Sequence, residues 1–289
     1  MNFDDFMKTA WNDHADHTEQ VAARLAESQH VIENASHLPR YAGLVTHVYG
    51  EHLGQWQRGV QLLQSLRGIS AHDGSPDASG AITRGIAVLS YCGGDTAALT
   101  SLGIDDCTSV LATVSSAMLG QKNLPAAVTA FEAALEQARA GLATGSPAVR
   151  ALAVGGNNLA AALEEKADRS AAETAGMVRA AEASLLYWQR SGTWLEQERA
   201  LYRLARSLLQ AGRPAEAIAS AQQGLDVCAR NDAPAFECFF GHAVLALALR
   251  AAGDAAGYAA ARGKALASYA AVPADEQHWC ALEVGELGA

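Results

Sequence analysis

Between Leu201 and Leu225 the chain reads LYRLARSLLQAGRPAEAIASAQQGL, and this layout limits the fold more than any other feature. Apolar residues fall at Leu201, Leu204, Ala205 and Leu208, a spacing that lines one helical face. Gly212 interrupts the pattern, and a second segment carries Ala217, Ala221 and Leu225. Two helices joined by a tight turn, with small side chains where they face each other, are predicted. The layout recurs over 110–138, over 241–266 with its turn at Gly253 and Asp254, over 156–188 with a longer turn or an extended helix, and in shorter form over 89–102. Near the start, GQWQRG (54–59) reads as a turn ahead of a second helix over 60–68. Pro39, Pro125, Pro147, Pro214 and Pro234 each stand ahead of an apolar-periodic segment and mark helix starts, because the first turn has no use for the missing N–H. Pro76 lies in SAHDGSPDASG (70–80), which reads as a mobile loop, and Pro273 lies in the tail.

Composition agrees with helices. Alanine supplies 63 residues and aromatics only 6%. Alanine loses no side-chain entropy in a helix and lets backbones approach, whereas strands draw on β-branched and aromatic runs. The net charge of −10 argues against a partner with a phosphate backbone, so no nucleic acid is expected. Cys92, Cys107, Cys228, Cys238 and Cys280 are odd in number and never at C-x-x-C spacing, so reduced thiols in a cytoplasmic protein are expected. The acidic opening, MNFDDFMKTAW, has no apolar core of the signal-peptide kind. The longest apolar run, AVLALAL at 243–249, is too short to cross a bilayer, so no membrane partner is expected.

The helix pairs resemble the tetratricopeptide repeat (TPR) family. PAAVTAFEAAL (125–135) matches that family's second helix, AGRPAEAIASAQQGL (211–225) matches it with Ala for Phe and Gly for Ala, and GQWQRG matches its turn. Gly59, Ala98, Ala127 and Ala217 take the small positions, at uneven intervals, and Tyr258 stands in the corresponding slot of the last pair. The resemblance covers most of residues 37–270. It implies an all-α right-handed superhelix, an α-solenoid of antiparallel helix pairs, as one domain over 1–289. Residues 1–36 would cap the array, 37–270 would form about five or six pairs, and the tail 271–289 would pack on the last. Trp279 is expected to staple that tail.

The resemblance also implies a concave groove lined by first helices, where partners bind. Arg199, Tyr202, Arg203 and Arg206 would face it from one helix, with Asn157 and Asn158 from the preceding first helix. One branch of the family clamps a peptide's terminal carboxylate with an Asn, then a Lys and an Arg four apart. Asn158, Arg199 and Arg203 correspond to those three. Ala112 and Ser116 stand where the other half of the clamp would be. Read without the family, three arginines on one face of an acidic chain are expected either to meet a carboxylate-bearing ligand or to pair with acidic neighbours such as Glu196 and Glu198.

HVYGEHLGQWQRGV (47–60) holds two histidines and a glutamate. In an α-helix His47 and His52 are separated by about 500° of rotation, leaving the rings about 140° apart, which argues against one ion held by both. His47 and Glu51 share a face, as do His14 and His17. If those faces met, His14, His17, His47 and Glu51 would form a carboxylate–histidine metal set; the other reading is hydrogen-bonded histidines in a packed interface. His47 itself is expected against Gly59. DEQHWC (275–280) sets His278 near Cys280, but a nucleophile and its base are usually brought together by the fold rather than by adjacency. No phosphate loop, G-x-S-x-G or H-E-x-x-H occurs. The expected function is therefore a non-enzymatic, cofactor-free scaffold for a protein or peptide with an acidic or carboxylate-bearing segment. A metal-binding protein and a regulatory sensor of a small ligand or peptide remain the alternatives.

Overall fold

A computed structural model describes residues 1–288. Among them every regular element is helical. Two compact units are formed, Met1–Gly155 and Gly156–Ala289.

The first unit contains α1 (Phe3–Asp13), α2 (Thr18–Glu27), α3 (Leu38–Thr46), α4 (Trp56–Ser65), α5 (Pro76–Cys92), α6 (Ile104–Gly120), α7 (Leu124–Ala138) and the first part of α8 (Pro147–Glu165). Pro39, Pro125 and Pro147 lie in first turns as expected. Pro76 does too: it opens α5, with Asp73 ordering the approach by accepting the Ser75 N–H at 2.9 Å. The loop read over 70–80 thus ends at residue 75, because a proline in a polar stretch serves a helix start as well as a loop. The short pair read over 89–102 is instead the end of α5 and a 3-10 turn at Thr96–Leu99. The turn at 54–59 is shorter than expected, since α4 begins at Trp56.

The join after α3 departs most from regular geometry. The chain continues as a π-helical turn, His47–His52. The Leu53 N–H donates to the Val48 carbonyl five residues back at 3.1 Å. Contacts to α2 and α6 hold this wider turn and the helix that leads into it. Tyr49 inserts into the core and donates its hydroxyl to the Ala22 carbonyl of α2 at 2.9 Å. Tyr41, on α3, donates to the Leu25 carbonyl. Gln121 donates its side-chain amide to the Gly50 and Glu51 carbonyls at 3.3 and 2.9 Å. Gly120 lets the end of α6 lie against the turn, since a Cβ there would overlap the Glu51 carbonyl oxygen. Gly59 plays a related part in α4, where its open side is filled by Tyr49 and Leu89. His47 turns away from that contact toward Trp11, His14 and His52. The expected His47–Gly59 packing thus gives way to Tyr49, because the π turn shifts which residue faces α4.

The second unit holds the rest of α8, then α9 (Ala171–Ser191), α10 (Trp194–Gln210), α11 (Pro214–Arg230), α12 (Ala235–Ala251), α13 (Ala255–Ala270) and α14 (Ala281–Glu286). Capping boxes start two helices, Ser170 with Glu173 and Thr193 with Glu196. Pairing follows chain order, α10 on α11 and α12 on α13. Ala217 is fully buried where α11 meets α10, as Ala127 is in α7 of the first unit. The last pair has Tyr258 in that slot, half-buried against the α12–α13 core, with the Arg250 guanidinium over its ring. The carbonyl of Leu287, just past α14, is taken by Tyr258 and by Arg262 at 3.3 and 2.9 Å.

Gly120→Ala should therefore lower the stability of the first unit by about 1–3 kcal/mol through overpacking at the π turn. Urea unfolding of the variant beside wild type measures it; an unchanged midpoint contradicts the close approach described.

Candidate functional site

The α10 helix carries a row of cationic side chains, and helical spacing arranges it. Arg199, Tyr202, Arg203 and Arg206 fall at steps of three and four, and so share a side. Each meets a carboxylate from the same unit. Arg203 donates to Glu164 of α8 at 2.6 Å, and Ser207 donates to the other oxygen of that carboxylate at 2.7 Å. Arg199 forks onto Glu237 of α12 through Nε at 3.3 Å and Nη2 at 2.5 Å. Arg206 forks onto Glu286, and Tyr202 donates its hydroxyl to Glu283; both acceptors belong to α14. Glu196 and Glu198, expected as neighbours, are not the acceptors of these bonds. Glu196 serves the capping box, and Glu198 is buried beside Glu237.

Burial sets the electrostatics here. Loss of water pushes the Glu164 carboxyl up, against the pull of Arg203 and Ser207. Burial, followed by repulsion from Glu237, raises Glu198 well above the ordinary carboxylate range, so it holds a proton where other glutamates have lost theirs. The Glu237 hydrogen bond raises the Arg199 guanidinium. Burial also pushes the Tyr202 phenol up, and Glu283 adds to the effect. It is therefore a hydrogen-bond donor at neutral pH.

The arginine row opens onto two clefts. One, of about 480 Å³, is bordered by Tyr202, Arg203, Arg206, Phe240, Trp279 and Leu282. The other, of about 560 Å³, is bordered by Arg199, Phe236, Glu237 and Pro273 and shares Trp279. Trp279 and Leu282 are 67% and 62% exposed, so an apolar rim stands beside the cations. The tail is anchored by buried Cys280 and Leu287; the staple expected at Trp279 is not formed, because the helical register of 277–286 turns Cys280 inward and Trp279 out. Burial pushes the Cys280 thiol up to about 11, and His278 stacks on Trp279 with ring centroids 4.6 Å apart. Asn157 and Asn158 are half-buried, bond each other at 3.3 Å, and border neither cleft.

In the first unit the histidines meet differently from the expectation. His14, at the end of α1, comes within a centroid distance of 5.0 Å of both His47 and His52. His47 and His52 lie 4.7 Å apart by centroid, with their Nε2 atoms 3.0 Å from each other. The α-helical angle calculation fails at this pair because the segment is π-helical, and the wider turn brings residues five apart onto one side. Glu51 is joined to His47 Nδ1 at 2.9 Å. His17 is exposed and outside the cluster, whereas His52, which the α-helical angle sets aside, belongs to it. The only sequence signal for His52 was its nearness to His47.

Solved structures with this fold include the crystal structure of a Podosopora anserina putative kinesin light chain with nearly identical TPR-like repeats. Its TM-score is 0.50 at 17% identity, over 82% of this chain and 97% of that one. A second structure under the same description, of a substituted form, gives 0.48 at 16% identity over the same shares. No family model matches the chain, and no curated protein does. No helix among the described residues is long and apolar enough to cross a membrane.

Arg203→Ala should cost about 3–5 kcal/mol, because it strands the buried Glu164, whereas Arg213→Ala, which frees only the exposed Glu216, should cost far less. Chemical denaturation of the two variants makes the comparison; equal costs would contradict the buried pairing. Glu198 gives a pH dependence whose sign follows from its raised folded-state pKa. The unfolded chain releases this proton first as pH rises, so wild type loses stability above the ordinary carboxylate range. Glu198→Gln should remove that loss, so that the variant gains on wild type by roughly 3 kcal/mol between pH 5 and pH 8. Thermal unfolding across that range tests it, and parallel pH profiles for variant and wild type would sink it. By fold, the chain is an all-α, TPR-like helical-repeat protein.

Proposed function

We propose that the chain is a non-enzymatic scaffold that binds an acidic or carboxylate-bearing segment of a partner protein on the α10 face of its second unit. The TPR-like fold suggests protein partners in general. The finer reading rests on one observation: this face already holds an acidic helix, the chain's own α14, through Arg206 on Glu286 and Tyr202 on Glu283. A partner segment presenting a carboxylate and a neighbouring apolar side chain would meet the same donors and the Trp279–Leu282 rim. Arg199 has 57% of its side chain exposed and keeps donor capacity toward solvent. Arg203 and Arg206 are more enclosed and set the shape of the cleft. Asn157 and Asn158 lie one to two helical turns before Glu164 on α8, where a longer segment would reach them. The five thiols are free, which fits a reducing cytoplasm. No cofactor, nucleic acid or membrane enters this reading.

Calorimetry with two synthetic peptides tests it, one acidic and the other its Asn/Gln counterpart, against wild type and Glu283→Gln/Glu286→Gln. The acidic peptide should bind, and the double variant should bind it roughly tenfold more tightly, about 1.4 kcal/mol, because the internal competitor is weakened. Added salt should reduce both affinities. Equal affinity for the two peptides, or no gain in the variant, would count against the proposal.

A further inference from the structure

We infer that His14, His47 and His52 form a binding site for one divalent transition-metal ion of the zinc type. The inference stands apart from the peptide-binding reading, since it uses other residues and the other unit. One ligand nitrogen from each of the three lies within 4.8 Å of the others. Tetrahedral zinc at about 2.0–2.1 Å from imidazole nitrogens sets those nitrogens about 3.3 Å apart. The 3.0 Å between the Nε2 atoms of His47 and His52 is close to that spacing, and small ring rotations bring His14 into line.

The outer contacts are those a metal-binding imidazole needs. His14 donates from Nδ1 to the Trp11 carbonyl at 2.5 Å, which leaves Nε2 as the free lone pair. His47 Nδ1 is joined to the Glu51 carboxylate at 2.9 Å, which again leaves Nε2. A carbonyl or carboxylate behind the imidazole fixes its tautomer and raises its basicity as a ligand. Without an ion, His47 and His52 bring two ring nitrogens together that cannot both keep their lone pairs facing each other, so one must donate. An ion would engage both lone pairs. The Trp11 indole lies 5.1 and 5.2 Å from the His14 and His47 rings and shields one side.

The backbone commits to this arrangement. His47 and His52 begin and end the π-helical turn, and π turns are rare and gather at functional sites. Gly120 and Gln121 at the end of α6 pack against that turn, and its own Tyr49 ties it to α2. Arg24 pairs with Asp13 at 2.7 Å, bracing the segment that delivers His14. Three imidazoles with no fourth protein ligand leave a coordination position for water or a partner's side chain. The nitrogen-only set favours zinc, cobalt or nickel over magnesium or calcium.

Equilibrium dialysis of the metal-free full chain against Zn²⁺ tests the site, with Co²⁺ as a spectroscopic substitute. One zinc per chain should bind, and Co²⁺ should show the strong visible absorption of four-coordinate nitrogen ligation. His52→Ala, at an exposed position, should lower zinc affinity at least about tenfold, and Glu51→Gln about tenfold by weakening the hydrogen bond behind His47. His17→Ala should leave it unchanged. Absence of stoichiometric zinc, a six-coordinate Co²⁺ spectrum, or equal affinity in His52→Ala would overturn the inference. The Co²⁺ spectrum of wild type decides the matter even if a variant fails to fold.

Discussion

How closely helix backbones approach one another governs this chain. Ala127 and Ala217 are fully buried at helix contacts, and Gly120 lies so near the Glu51 carbonyl that no side chain fits between them. An alanine-rich, aromatic-poor chain gains little from any single side chain, so it must gain from many close contacts. Such contacts tolerate few errors in register. They also explain why polar groups can be held so firmly in place: Tyr41 and Tyr49 reach backbone carbonyls of α2 because the helices are near enough to be spanned.

Close packing carries an electrostatic consequence in the second unit. Glu164, Glu237 and Glu283 are drawn into positions with little water, and each would be costly alone. The α10 row of Arg199, Tyr202, Arg203 and Arg206 answers them. A charged stripe that looks like a ligand surface is thus also the counter-charge of an acidic interior. These roles are compatible, because the carboxylates of α14 come from a short terminal helix rather than from the packed pairs. Tyr202 and Arg206 donate to Glu283 and Glu286, and the proposed function has them donate to similar groups from another chain.

Much of the helical layout was legible in the residues. The prolines named as starts do open helices, and the Gly–Asp and Ala-rich signals gave the pairs 110–138, 201–225 and 241–266. The arginine row was legible too, since helical periodicity alone put its members on one side. Its acceptors were not, because Glu164, Glu237 and Glu286 lie 38 to 80 residues away in sequence. The histidine cluster was half legible. His14 and His47 stand out by their chemistry, but His52 is set aside by an angle that holds only for an α-helix. A π turn depends on tertiary neighbours such as Gln121 and Gly120, which no local pattern reveals. Pro76 escaped for a simpler reason, as polar loop residues and helix caps are the same residue types.

On the proposed reading, α14 holds the place of an acidic partner on the α10 face. Hydrogen exchange over residues 277–288, with and without a saturating acidic peptide, tests it most directly. Displacement predicts that amides in Ala281–Glu286 exchange faster when the peptide is bound, while those of α10 slow or stay unchanged. A peptide that binds while α14 keeps its protection would contradict the claim and place the binding surface elsewhere.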